Sequence, residues 1–186
     1  MTARRNATTA RILATAADLF AGNAYADVSV DQIAQQAGIT KMTLYQHFSS
    51  KNELALECLR MRLNKREERL DKLLAELDPK TDPLLAIFDW LQQGLDPKHF
   101  KGCSFVKAVN ELSIVLPEVR EIALDAKQKI RQRLTTLARR TGRKNPGKLG
   151  QELALLFEGA QSLAQIECSA RSALVAKRVA ARLLQT

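Results

Sequence analysis

The sequence predicts an all-α protein, and three observations carry that prediction. Apolar residues recur at three- and four-residue spacing along most of the chain, the period of a helix with one inward face. Capping residues, prolines and glycines fall where such segments would start and stop. Only 5% of the 186 residues are aromatic, with eight Gly and five Pro, a composition that favours helices over sheet. The length suits one medium domain, or a small domain joined to a larger one.

Nine helices are expected. The first three occupy about 8 to 48. Ser29 with Gln32 forms a capping box, Thr40 can cap the next segment, and Ser50 with Glu53 opens a fourth helix. Gly38, inside Ala37-Gly38-Ile39, can take the left-handed conformation that ends one helix and frees the next. The fourth helix should run to about Leu77, where Asp78-Pro79 stops it. Asp82-Pro83 reads as an N-cap with proline at the first helical position, opening a fifth helix to about Gln93. After a break from Gly94 to Lys101, a sixth helix is expected from Ser104 to Val115, and Pro117 opens a seventh reaching Arg140, with Gly142 at its C-terminus. Asn145-Pro146 repeats the cap-plus-proline start for an eighth helix to Cys168, and a ninth runs from Arg171 to Leu184.

Within this plan the second and third helices, short and separated by a glycine turn, make a helix-turn-helix. Ile33, Ala34 and Ala37 point inward on the first of the pair, and Leu44 and Phe48 on the second. On a helical wheel Met42 and Gln46 lie opposite Leu44, with Lys41 and Thr43 on the flanks. That outward set can meet base edges in a major groove: Gln suits adenine, Lys suits guanine and Met a thymine methyl. Tyr45 and His47 read either as phosphate contacts or as partly buried packing residues. Lys51 opens the fourth helix, where its ammonium and the adjacent N–H groups attract phosphate. Ser29 and Thr40 are caps that can also touch the backbone of double-stranded DNA. Arg4 and Arg5 read as a tail or as a minor-groove arm.

Charge supports this only weakly. The chain carries +9, but much of the excess lies downstream between Lys127 and Lys148, where a solvated face is the ordinary explanation. No apolar run approaches the ~20 residues of a membrane span, and the N-terminus lacks a signal-peptide core. Cys58, Cys103 and Cys168 are odd in number and lack metal spacing, so neither a disulfide framework nor a metal site is expected. These features lead to an expectation of a cytoplasmic protein. His47 sits in the DNA motif and His99 has no nucleophile motif beside it; with no HExxH, CxxC or Gly-rich phosphate loop, neither enzyme activity nor a cofactor is expected.

Gly38-Ile39-Thr40, Thr43-Leu44-Tyr45, His47-Phe48 and Lys51 resemble the signature of tetracycline-repressor-like (TetR) transcriptional regulators. The helix before them, with Ala16, Ala17, Leu19 and Phe20, fits that family's first helix. Lys101-Gly102-Cys103-Ser104-Phe105 and Glu111 resemble one branch of the family. The resemblance implies a homodimeric repressor with a reading domain at 1–49 and an effector-binding and dimerisation domain at 50–186. It also implies that Tyr45, His47 and Lys51, with Thr40 and Thr43, meet phosphate, and that a small-molecule pocket lies among the fourth to eighth helices. Phe88, Trp90, Cys103, Phe105, Val109, Glu111 and Phe157 are the candidates for that pocket, although apolar residues at helical spacing are core by default. Cys103 beside Gly102 reads as a thiol sensor or as an inert buried thiol. The last two helices carry apolar residues on more than one side, which points to a dimer interface. The alternative is a constitutive or architectural DNA-binding protein whose C-terminal part only dimerises.

Overall fold

A computed structural model describes residues 2–96 and 100–185, with side chains from residue 5 onward. Among them are α1 (Thr2–Gly22), α2 (Val30–Gln36), α3 (Lys41–His47), α4 (Lys51–Ala75), α5 (Pro83–Gly94), α6 (Ser104–Leu112), α7 (Glu118–Arg140), α8 (Pro146–Glu167) and α9 (Arg171–Leu183), and no strand. His99 and the side chain of Arg4 lie outside the described residues.

By packing, the chain divides into two compact units: residues 1–66 with 104–123, and residues 67–103 with 124–186. The 49/50 boundary expected from the sequence does not follow this division. Leu54 and Cys58 of α4 are buried in the same core as Ile12, Ala16, Ile33, Leu44 and Phe48, so the start of α4 packs as part of the first unit.

The first unit is organised around short helices that depend on their ends. Ser29 Oγ accepts from the Gln32 N–H at 3.0 Å, and Thr40 Oγ1 from the Thr43 N–H at 3.1 Å, each satisfying an N–H that the helix leaves unpaired. Gly38 has φ +63°, and the Ile39 N–H returns to the Ala34 carbonyl at 3.0 Å, closing α2 in a Schellman turn. Ser50 Oγ accepts from Glu53 N–H at 3.0 Å. The Glu53 carboxylate reaches back one residue further than a simple capping box, to the N–H and hydroxyl of Ser49 at 2.5 Å each, and these bonds hold its pKa below the usual carboxylate value.

The second unit buries Phe88, Ile87, Leu134, Leu153 and Phe157 in one core drawn from α5, α7 and α8, with Ala173, Ala176 and Ala180 of α9 closing it. Asp82 caps α5 through the Leu84 N–H at 2.8 Å. Gly142 ends α7 at φ +69°, with Arg143 N–H on the Ala138 carbonyl. Gly150 has a different task. A Cβ there would stand 2.1 Å from Thr135 Oγ1 and 2.8 Å from its backbone, so α7 and α8 meet at a distance that only glycine allows.

Two expectations, and one of the two open readings of Arg5, are corrected. Helix α6 stops at Leu112, before Val115. Leu116 precedes Pro117 and is biased away from helical angles, and Ile114 and Val115 are 95% and 67% exposed, so no burial favours extending the helix through them. Asn145 does not cap α8: it sits at φ +46° with no side-chain cap hydrogen bond, leaving Pro146 to start the helix alone. Arg5 does not form an extended arm, because α1 begins at Thr2 and the Arg5 guanidinium donates to the Gln46 carbonyl at 3.5 Å.

Candidate nucleic-acid interface

Helix α3 has one fully buried side chain, Leu44, and Phe48 follows it into the core at 4% exposure. Those two anchors decide its rotation. Met42 is then 71% exposed and Tyr45 46%, with Lys41 and Gln46 also facing solvent. Lys41 pairs with Asp31 of α2 at 2.9 Å, a contact that raises its pKa, so it is cationic at neutral pH. Both partners are more than half exposed, so the pair costs little to break in favour of a base or phosphate.

The flanks are tied down. His47 Nδ1 is 2.8 Å from Thr9 Oγ1 of α1, which orients the ring. The Thr40 and Thr43 hydroxyls are 2.9 Å apart, in addition to the cap they share. Ser29 stands one residue ahead of α2, exposed but engaged as its cap. Chemically, this is an exposed amide, ammonium and thioether set on one face, bordered by hydroxyl, phenol and imidazole groups suited to phosphate.

Lys51 departs from the simple picture. Its ammonium donates to the Tyr25 carbonyl at 2.5 Å and lies 4.0 Å from the centre of the Tyr25 ring, and partial burial lowers its pKa. Tyr25 is the residue that sequence reasoning missed. It belongs to the loop between α1 and α2, and its phenol donates to Asn52 Oδ1 at 2.5 Å. An aromatic residue in the short loop between two helices is the local signal that points to it.

The pocket candidates fall into both units. In the second, the Phe88 and Phe157 rings meet edge-on with centroids 6.5 Å apart, and Trp90 stacks on Phe157 at 6.5 Å. Phe88 and Phe157 are core residues, and Trp90 is half-buried beside them. Cys103 is partly exposed, with Lys127 Nζ 3.4 Å from its sulfur; the same ammonium is bonded to Glu158. In the first unit, Phe105 lies under the Arg66 guanidinium at 5.6 Å, Val109 is half-buried, and Glu111 borders a cavity of about 40 Å³ between α1, α4 and α6. That volume holds a few waters at most. Among the described residues no group of three His, Cys, Asp or Glu is placed to hold a metal ion, and no helix is long and apolar enough to cross a membrane.

An all-helical chain with this capped, outward-facing α3 is a helix-turn-helix protein built to meet DNA. Comparison narrows the class. Residues 12–58 match the family of bacterial regulatory proteins called tetR. The chain is 45% identical over 49 residues to the HTH-type transcriptional activator FasR of Mycolicibacterium smegmatis, covering 26% of this chain and 22% of that one. It is 26% identical over 123 residues to the fatty acid metabolism regulator protein of Bacillus subtilis, covering 66% and 58%. A solved structure of a TetR-family transcriptional regulator from Streptomyces coelicolor shares the fold with a TM-score of 0.84 and 26% identity, across 96% of both chains. The two curated relatives are thus matched over 22% and 58% of their own lengths. Residues 12–58 thus form a DNA-binding region of the tetR family, and the chain shares the fold of TetR-family transcriptional regulators.

Proposed function

We propose that the chain is a homodimeric repressor that binds an inverted-repeat operator and is released by a small-molecule effector. The exposed face of α3 carries the reading: Lys41, Met42 and Gln46 approach base edges, while Tyr45, His47, Thr40, Thr43, Ser29 and Lys51 meet phosphates. Residues 1–49 supply the reading function and residues 50–186 supply dimerisation and effector binding. Dimerisation uses α8 and α9, where Leu155, Leu163, Ile166, Leu174 and Val175 are between 42% and 77% exposed in the single chain. A two-fold dimer presents its α3 helices to successive major-groove faces, roughly 34–36 Å apart for one DNA turn.

Effector action requires that the ligand prefer one conformation over the other; tight binding to both shifts nothing. An apolar or amphipathic molecule acting at the aromatic group of Phe88, Trp90 and Phe157 meets that requirement if it displaces those rings, and α4 runs continuously through residues of both units. The constitutive reading is favoured by the small volume of the cavity beside Glu111, well below the several hundred Å³ of ordinary ligand pockets, and opposed by a cleft of about 350 Å³ beside Arg143, Lys148, Glu152 and Leu184.

Operator selection followed by footprinting tests the core of this proposal. An inverted repeat is expected, with Gln46→Ala and Lys41→Ala changing preference among bases by about 1–3 kcal/mol. A monomer footprint on one asymmetric half-site defeats the dimer. Titrating a ligand found by thermal shift into the complex should weaken operator binding, and operator should weaken the ligand by the same factor. Ligand binding without any change in operator affinity favours the constitutive alternative.

A further inference from the structure

Every functional group of Tyr25 is engaged. Its N–H donates to Glu111 Oε2 at 2.8 Å, its carbonyl accepts from Lys51 Nζ, its ring faces that ammonium, and its hydroxyl donates to Asn52. Glu111 belongs to α6, far along the chain from the helix-turn-helix. One turn earlier on α6, Lys107 Nζ donates to the carbonyls of Phe20 at 3.0 Å, Ala21 at 3.4 Å and Asn23 at 2.6 Å. These are carbonyls at the C-terminal end of α1, left without partners in their own helix, and a cation there also meets the negative end of the helix dipole. Lys107 and Glu111 thus grip the two ends of the segment that leads into Tyr25.

We propose that Tyr25 is a positioning residue for Lys51 in DNA binding, and that α6 holds it in place through Glu111 and Lys107. The proposal rests on the reading of Lys51 as a phosphate contact. A free lysine loses much of its rotamer freedom when it engages a phosphate. Lys51 has already lost part of it, held by one carbonyl and one ring face. An ammonium has three donors, so bonding the Tyr25 carbonyl leaves others for a phosphate oxygen. Preorganisation of this kind raises affinity by lowering the cost of ordering on binding. Release of Glu111 frees the Tyr25 loop and returns that cost to the bound state.

The experiment is a mutant cycle on the full chain, with a labelled random-sequence duplex as probe and affinity measured by anisotropy across a salt series. Random DNA is suitable because phosphate contacts do not depend on sequence. Lys51→Ala should weaken binding and lower the salt slope by about one unit. Glu111→Ala should weaken it by up to about tenfold, the scale of one lysine's ordering cost. In the Lys51→Ala background, Glu111→Ala should add nothing. Glu111→Gln, which keeps an acceptor for the Tyr25 N–H, should restore most of the loss. If Glu111→Ala is unstable by thermal melting, Tyr25→Leu removes only ring and hydroxyl and completes the same cycle. Effects of Glu111 and Lys51 that multiply independently overturn the proposal, as does a Glu111→Ala variant that binds like the parent. If Lys51→Ala itself changes neither affinity nor slope, the phosphate reading fails, and the proposal with it.

Discussion

Helices α2 and α3 contrast with α8 and α9 in what holds them. The first two are seven residues each, far below the ~12–15 at which an isolated helix becomes even marginal. They persist because Ser29, Thr40 and Gly38 satisfy their ends and because Ile33, Ala34 and Leu44 are buried. Helices α8 and α9 have 22 and 13 residues and bury a full inward face, yet they also expose large apolar side chains outward. In the short pair the buried apolar residues Ile33, Ala34 and Leu44 hold the fold, and the outward face, polar apart from Met42, is available to DNA. In the long pair a surplus of large apolar residues stays exposed in the single chain. That surplus is the feature on which the proposed dimer rests.

Charging the surplus should have the largest effect. Leu163→Glu combined with Ile166→Glu places two carboxylates on an outward face and removes nothing from the core, since those residues are 50% and 77% exposed. The expected result is a helical monomer by sedimentation and circular dichroism. Its operator affinity should fall by about 10²–10⁴, the gain that linking two contacts provides. A variant that remains dimeric places the interface elsewhere.

A smaller effect separates two glycines of α8. Gly150→Ala forces a Cβ against Thr135 and should cost about 1–3 kcal/mol of stability in thermal or urea unfolding. Gly159 meets nothing within 4 Å in the single chain, so Gly159→Ala should be neutral or stabilising there, by up to about 1 kcal/mol. A clear loss at Gly159 would instead report the close approach of a second chain.

The smallest effect is a difference in thiol reactivity. Cys58 is buried in the first core and its pKa is pushed up to about 12, so it should resist alkylation at neutral pH until the protein unfolds. Exposed Cys168 should react first and partly exposed Cys103 next, by mass spectrometry of intact protein over time. Early labelling of Cys58 would mean that the first unit opens far more readily than its packing indicates.

The helix order, the caps at Ser29, Thr40, Ser50 and Asp82 and the turns at Gly38 and Gly142 were legible in the sequence because each is settled by partners within about five residues. The same is true of α3: with Leu44 and Phe48 inward, helical geometry turns Met42 and Gln46 outward. Periodicity could not sort the apolar residues of α8 and α9, since Leu153 and Phe157 turn inward while Leu155 and Ile166 turn out, and a stripe wider than one face fits more than one rotation. The missing cap at Asn145 and the early end of α6 depended on backbone angles and burial that local sequence signals did not determine. Lys51 and Glu111 were singled out as chemistry without their partner. Tyr25 is 26 positions from the first and 86 from the second, and only tertiary structure brings a loop carbonyl, a ring and an N–H to meet them. Local hydrogen bonds set where helices begin and end; side chains that act together across the chain are chosen by packing.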